Sequence, residues 1–387
     1  MLTRRTFLKS SSLLALAPTL PIFLARTAHA ADPQQAARIL VVVQLDGGND
    51  ALNTVVPHAD PEYAKLRPGL KVAASDVVKL NDSVGLHPSL RPLGDLLEKG
   101  RLAVMPGVTY PNPNRSHFRS MAIWQTAKFD PEEHAGYGWL GRALDATGGC
   151  SALVGGGAVP ATLRARRSAA LSLARSEDLM LNDGATARQA LGTDANDDLL
   201  AFVRRQAADG YSAAEKIAGL KRSSDAAYPA TRLAERLRLT AGLLKSDLGA
   251  RVYYTLQSGY DTHAAQRFTH LNLLSEFAGA VRAFFADLDQ AKLAERVLLV
   301  AFSEFGRTIK ENGSVGTDHG TIGCVFVAGS KVKDGLVGAM PSLTDLDGGE
   351  PKMTTDFRRI YATLLDQWLA CPSEQVLGAK FEHLPLL

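Results

Sequence analysis

The sequence predicts an α/β fold, a mostly parallel central sheet flanked by helices, and three features carry that expectation. Ile39 to Leu45, Arg251 to Gln257 and Val297 to Phe302 are short apolar runs, too short for helices and patterned as strands buried on both faces. Amphipathic stretches with helical spacing alternate with them, as the crossovers of a parallel sheet require. Each of the three runs also ends in a glycine-punctuated loop rich in Asp, Glu or His. In open α/β sheets ligands bind beyond the carboxyl ends of the strands, so these loops define a candidate site.

In chain order, the first feature is an address. Thr3-Arg4-Arg5-Thr6-Phe7-Leu8-Lys9 is a twin-arginine motif, followed by an apolar run from Leu13 to Ala25 and by Ala28-His29-Ala30 as a cleavage site. Residues 1–30 therefore read as a signal peptide handled by the Tat translocase, and residues 31–387 as the exported domain. The apolar run is short and broken by Pro18 and Pro21, so no stable transmembrane anchor is expected. The whole chain carries a net charge of +3, and the cations Arg4, Arg5, Lys9 and Arg26 all lie in the leader. The exported part is close to neutral, which argues against a nucleic-acid partner. Cys150, Cys324 and Cys371 are too few and too scattered for a disulfide framework or a thiolate metal site.

The first strand ends in Asp46-Gly47-Gly48-Asn49-Asp50. Leu90, Leu93, Leu96 and Leu97 give one face to a short helix that Gly100 ends, and a buried strand over Leu102 to Met105 follows. His87 precedes that helix and reads as structural. In Tyr110 to Met121, Pro111 and Pro113 hold an extended segment, and Asn114 or Ser116 caps a helix bearing Phe118, Met121, Ile123 and Trp124. Arg115, His117 and Arg119 crowd its first turn, where free N–H groups favour an oxyanion. From about 161 to 250 the sequence turns to alanine, arginine and leucine with helical periodicity, as in Asp197 to Gln206 and Thr231 to Leu248. No strand is expected there, and the region reads as a helical insertion or cap.

The strand Arg251 to Gln257 leads to Asp261-Thr262-His263, and Gln266 to Ala294 is the crossover helix to Val297 to Phe302, with His270 a surface or core residue. After that strand come Ser303, Glu304, Arg307, Asp318 and His319 within eighteen residues, spaced by glycines. Ile322 to Ala328 is a further apolar run, and Thr355 to Leu369 a closing helix. Clustered Asp, Glu and His side chains are ligands for divalent cations, and such a cluster would repel itself unless a cation neutralised it.

The leader together with QLDGGNDALNTVVP, YPNPNRSHFRSMAIWQTA, YDTH, SEFGRT, GTDHG and DFRRIYATLLDQWL resembles the exported bacterial family called domain of unknown function 1501. That family is grouped with the alkaline phosphatase and sulfatase superfamily, whose members hold a phosphate or sulfate ester between divalent cations and a nucleophile. The resemblance implies an alkaline-phosphatase-like fold, with Asp46, Asp261, His263, Glu304, Asp318 and His319 as metal ligands. Where the superfamily has Asp-His, this chain has Glu304-Phe305. Where sulfatases place their nucleophile it has Pro111, with Thr109 and Ser116 as neighbours. The expectation is a periplasmic, metal-dependent hydrolase of small anionic phosphate or sulfate esters, using Zn, Mn, Mg or Ca. Arg307 and Arg115 steady the anion and His117 acts as acid, base or extra ligand. The alternative is a binding protein of the envelope that keeps the fold without the chemistry.

Overall fold

The computed structural model describes residues 38–130, 132–133, 136–174, 226–246 and 249–387. The leader and the expected helix at Asp197 to Gln206 lie outside the described residues. Within them, nine strands form one sheet: β1 Ile39–Asp46, β2 Leu102–Thr109, β3 Cys150–Val154, β4 Ala170–Leu173, β5 Ala250–Ser258, β6 Val297–Phe302, β7 Gly323–Ala328, β8 Gly335–Leu336 and β9 Thr355–Asp356. Their order is β8-β2-β7-β6-β1-β5-β3-β4, with β9 on the side of β2. β1 lies between β5 and β6, parallel to both, so the three loops singled out from sequence leave neighbouring strands at one end of the sheet.

β7 alone among them runs antiparallel to its neighbours, pairing β6 and β2. A parallel neighbour needs a crossover, usually a helix. The segment between Phe302 and Gly323 holds no helix, so the chain leaves the sheet, builds the site loop, and returns on the same edge in the opposite sense. Four strands were not expected, two of them the two-residue β8 and β9, the latter at the start of the expected closing helix. β3 is only five residues long, and β4 lies in the stretch read as helical, where its alternating burial extends the parallel edge beyond β3.

Successive residues of β1 feed opposite cores, as strand geometry dictates. Val41 and Val43 pack with Phe277, Val281 and Leu237 on one face, under α4 Arg232–Lys245 and α5 Gln266–Gln290. Leu40 and Val42 pack on the other with Trp124, Trp139 and Tyr361, under α2 His117–Thr126, α3 Trp139–Thr147 and α6 Phe357–Thr363; α1 is the single turn Ala51–Thr54 after β1. Thr231 caps α4 by accepting from the Ala234 N–H. The Trp124 ring lies stacked between Phe302 and Phe357, with centroids 4.9 and 4.5 Å away. Contacts of this kind contribute about 0.5–1.5 kcal/mol each beyond area burial, and they pin α2 to the sheet end that carries the site. On α2, Phe118 is 90% exposed, while Ile123 and Trp124 are buried. Among the described residues no helix is long and apolar enough to cross a membrane.

Candidate metal centre

Asp261 sits at the centre of the arrangement. It follows β5 in a loop held against the β1 loop, and Gly47 permits that approach: its φ is +117°, and a Cβ there would stand 2.6 Å from the Asp261 nitrogen. Gly316 does the same for the later loop, where a Cβ would meet the His263 carbonyl at 2.3 Å. Three imidazoles surround the Asp261 carboxylate. His263 Nε2 lies 3.0 Å and His319 Nε2 3.1 Å from Oδ1, and His117 Nε2 lies 3.5 Å from Oδ2. Ligand atoms of His117, Asp261 and His319 all fall within 4.8 Å of one another. His263 Nε2 is 3.0 Å from His319 Nε2.

The other ring nitrogen of each histidine faces outward to an acceptor. Nδ1 of His117 is 2.7 Å from Glu304 Oε1, Nδ1 of His263 is 2.9 Å from Asp318 Oδ1, and Nδ1 of His319 is 2.9 Å from the Arg115 carbonyl. An acceptor at Nδ1 places the hydrogen of a neutral ring there and leaves the Nε2 lone pair bare. Three lone pairs thus face one carboxylate, and cations, metal ions or protons, relieve that crowding. His117 Nε2 is buried with no hydrogen-bond partner.

The electrostatics follow from these contacts. The bond to Glu304 raises the His117 pKa above its ordinary value, against burial, which lowers it. Burial raises the Asp261 pKa, but the hydrogen bond from Arg307, joined by His319 when its ring is protonated and donates from Nε2, outweighs it and holds the carboxyl at about 2. Phe305 cannot ligate, yet it has a place: its buried ring packs 4.8 Å from His117 and 4.9 Å from His319, an apolar support for both imidazoles.

Several residues stand elsewhere than the sequence suggested. Glu304 lies behind His117; its carboxylate accepts from the Gly47 N–H at 3.0 Å and from Ser303 Oγ at 3.0 Å, and it is almost fully buried. It holds the His117 ring from the side away from Asp261. Asp318 does the same for His263. Asp46 accepts from Gln44 Nε2 at 3.0 Å and is not in the group of mutually close ligand atoms. A carboxylate at a strand end points to one face or the other by the pleat, which the terminal position alone does not reveal.

Arg307 is the largest departure. Its guanidinium is buried and donates to the carbonyls of Gly47, Gly48, Tyr260 and Thr317 and to Asp261 Oδ1 at 2.7 Å. Nε, Nη2 and one hydrogen of Nη1 are so engaged, and the buried guanidinium ties the three loops together. Arg307→Lys should therefore lower thermal stability and metal retention together; melting with and without added zinc tests this, and an unchanged melting temperature would refute the strut role. Arg115 keeps a partly exposed guanidinium whose ion-pair partner, Glu350, stands 3.9 Å away. Of the possible nucleophiles, Thr109 is buried at the end of β2, and Ser116 is exposed as the residue before α2, where it makes no side-chain capping bond. His270 is a core residue, bonded to Asn49 Oδ1 at 2.9 Å, and burial pushes its pKa down to about 4. His87 caps the helical turn at Pro88–Leu93 by accepting from the Ser89 N–H.

Residues 37–370 match the family described as "Protein of unknown function (DUF1501)", and the chain belongs to that family. No curated protein sequence matches it. Among solved structures, it is similar to the zinc complex of the C-terminal periplasmic domain of EcEptC from Escherichia coli, with 10% identity, 76% of this chain and 74% of that one covered, and a TM-score of 0.39. It is similar to the PsFucS1 sulfatase from Pseudoalteromonas sp., with 11% identity, 94% and 72% covered and a TM-score of 0.39. It is also similar to the lipoteichoic acid synthase LtaP from Listeria monocytogenes, with 9% identity, 89% and 72% covered and a TM-score of 0.34.

Proposed function

We propose that the protein is a metal-dependent hydrolase of phosphate or sulfate esters that acts outside the cytoplasm after Tat export. The supporting observation is the convergence of three imidazole Nε2 atoms on the Asp261 carboxylate, each ring with its Nδ1 facing an outward acceptor. A carboxylate or carbonyl behind a histidine is how metal-binding imidazoles are held. A donor set dominated by imidazole suits zinc or another transition metal better than magnesium or calcium, which prefer oxygen ligands. A bound divalent cation would supply Lewis acidity and a water acidified toward neutrality.

This chain's own residues would do the rest. Glu304 fixes the tautomer and the ring angle of His117. Arg115, whose own carbonyl faces His319 Nδ1 and whose guanidinium is partly exposed, would meet an ester oxyanion. His117, the ligand whose Nε2 is unpartnered, either ligates or handles a proton at that atom. Glu304→Gln keeps the shape but can donate where the carboxylate only accepts. Metal affinity should fall about 10- to 100-fold, the usual cost of losing a partner behind a metal ligand. Chelator competition measures it, and an unchanged affinity would remove Glu304 from the site.

The second reading, a metal-binding envelope protein without hydrolysis, draws support from Pro111 at the nucleophile position and from the burial of Arg307 among backbone carbonyls. Metal analysis of the exported protein, paired with a screen of phosphate mono- and diesters and sulfate esters, separates the two. Metal with turnover supports the hydrolase. Metal without turnover of any ester supports the binding protein.

A further inference from the structure

We propose that Gln266 is a positioning residue that sets the spacing between the two loops carrying the candidate ligands. It is fully buried at the first position of α5, directly after Ala265, whose φ of 45° turns the chain sharply into the helix. Its Oε1 accepts from Thr262 Oγ1 at 3.0 Å and from Thr317 Oγ1 at 2.5 Å. Thr262 stands between Asp261 and His263, and Thr317 directly precedes Asp318 and His319. One amide oxygen therefore holds both loops, at the place where His263 and His319 bring their Nε2 atoms to 3.0 Å.

The amide is itself fixed. Its Nε2 donates to Asp50 Oδ2 at 2.5 Å, and Asp50 is bound to the buried Arg67 guanidinium. The backbone adds two rungs, from the Gln266 N–H to the Val315 carbonyl and from the Thr317 N–H to the Thr262 carbonyl. Glutamine suits the position because it offers an acceptor to two hydroxyls and a donor to a carboxylate within one planar group. Glutamate would set a second carboxylate against Asp50, and methionine would match the length with neither function. The helix behind it reaches Phe277 and Phe284 in the core, so the clamp is referred to a rigid element and not to another loop.

This role rests on the metal-centre reading only through what the loops carry, and two measurements keep the failures apart. Hydrogen exchange of the metal-free protein would be followed at residues 259–266 and 312–320 in Gln266→Met, Thr317→Val and Thr317→Ser. Exchange in both loops should rise about tenfold in the first two, roughly what one lost hydrogen bond represents, and stay near the parent in Thr317→Ser, which keeps the hydroxyl. Amides of β1 and β5 should keep the parent rate. Zinc affinity by chelator competition should drop about 10- to 100-fold in the same two variants and recover in the serine variant. If Thr317→Val loosens only its own loop, or leaves zinc affinity at the parent value while the parent binds zinc, the clamp is wrong. If the parent binds no zinc or manganese, the metal reading fails and the exchange pattern alone decides the clamp. Should Gln266→Met not fold, the two threonine substitutions carry the decision.

Discussion

His319→Ala is expected to abolish tight metal binding and to lower ester turnover by more than about 100-fold, beyond the range for losing a residue that only supports a ligand. Its Nε2 is shared between the Asp261 carboxylate and His263, so its removal opens one side of the cluster. His263→Ala should be milder, because His263 is absent from the group that includes His117. The stability readout is independent of activity. A metal present at about 100 times its Kd stabilises the folded state by about 2.7 kcal/mol, and 1 kcal/mol moves the melting temperature by about 2–4 °C in domains of a few hundred residues. Zinc should therefore raise the melting temperature of the parent by several degrees, that of His263→Ala by less, and that of His319→Ala not at all. Equal stabilisation of all three proteins would mean that zinc binds outside the cluster and would sink the metal-centre reading.

The parts legible in the sequence were those carried by local pattern. β1, β5 and β6 were read almost to their ends because a strand buried on both faces leaves an uninterrupted apolar run, and α5 because its buried face repeats through Leu274, Phe277, Val281 and Phe284. Asp261, His263 and His319 were legible as polar groups in glycine-rich loops. What the sequence hid is what depends on partners far along the chain. Glu304 reads as a ligand until the Gly47 N–H, 257 residues earlier, claims its carboxylate. Arg307 reads as an anion clamp until carbonyls from three loops surround it. His117 sits on a helix whose periodicity says nothing of what its first residue meets. β4 is four residues long inside an alanine-rich stretch, and only the exposed edge of β3 makes it a strand.

Arg67→Met should be among the most destabilising single changes outside the metal cluster, about 3–5 kcal/mol at neutral pH, the usual cost of stranding one member of a buried ion pair. Both side chains of the Arg67–Asp50 pair are fully buried, 2.5 Å apart. The guanidinium also donates to Asn53 Oδ1 and to the carbonyls of Thr308 and Ile309, so even an apolar replacement of both partners would leave acceptors unpaired. The pH dependence identifies the mechanism. Burial alone would raise the Asp50 pKa, but Arg67, with help from Gln266, holds it below the ordinary aspartate value. In the parent, that contribution is present above the unfolded-state pKa and is lost as pH falls through the lower folded one. Without Arg67 burial is no longer offset, the folded pKa rises above the unfolded one, and folding favours the protonated acid. The deficit of Arg67→Met relative to the parent should thus be greatest at neutral pH and shrink as pH falls toward the aspartate range. Adding Asp50→Asn should recover part of it at neutral pH. Denaturant unfolding at several pH values measures this, and a deficit that stays constant with pH would mean that lost packing, and not a stranded charge, destabilises the variant.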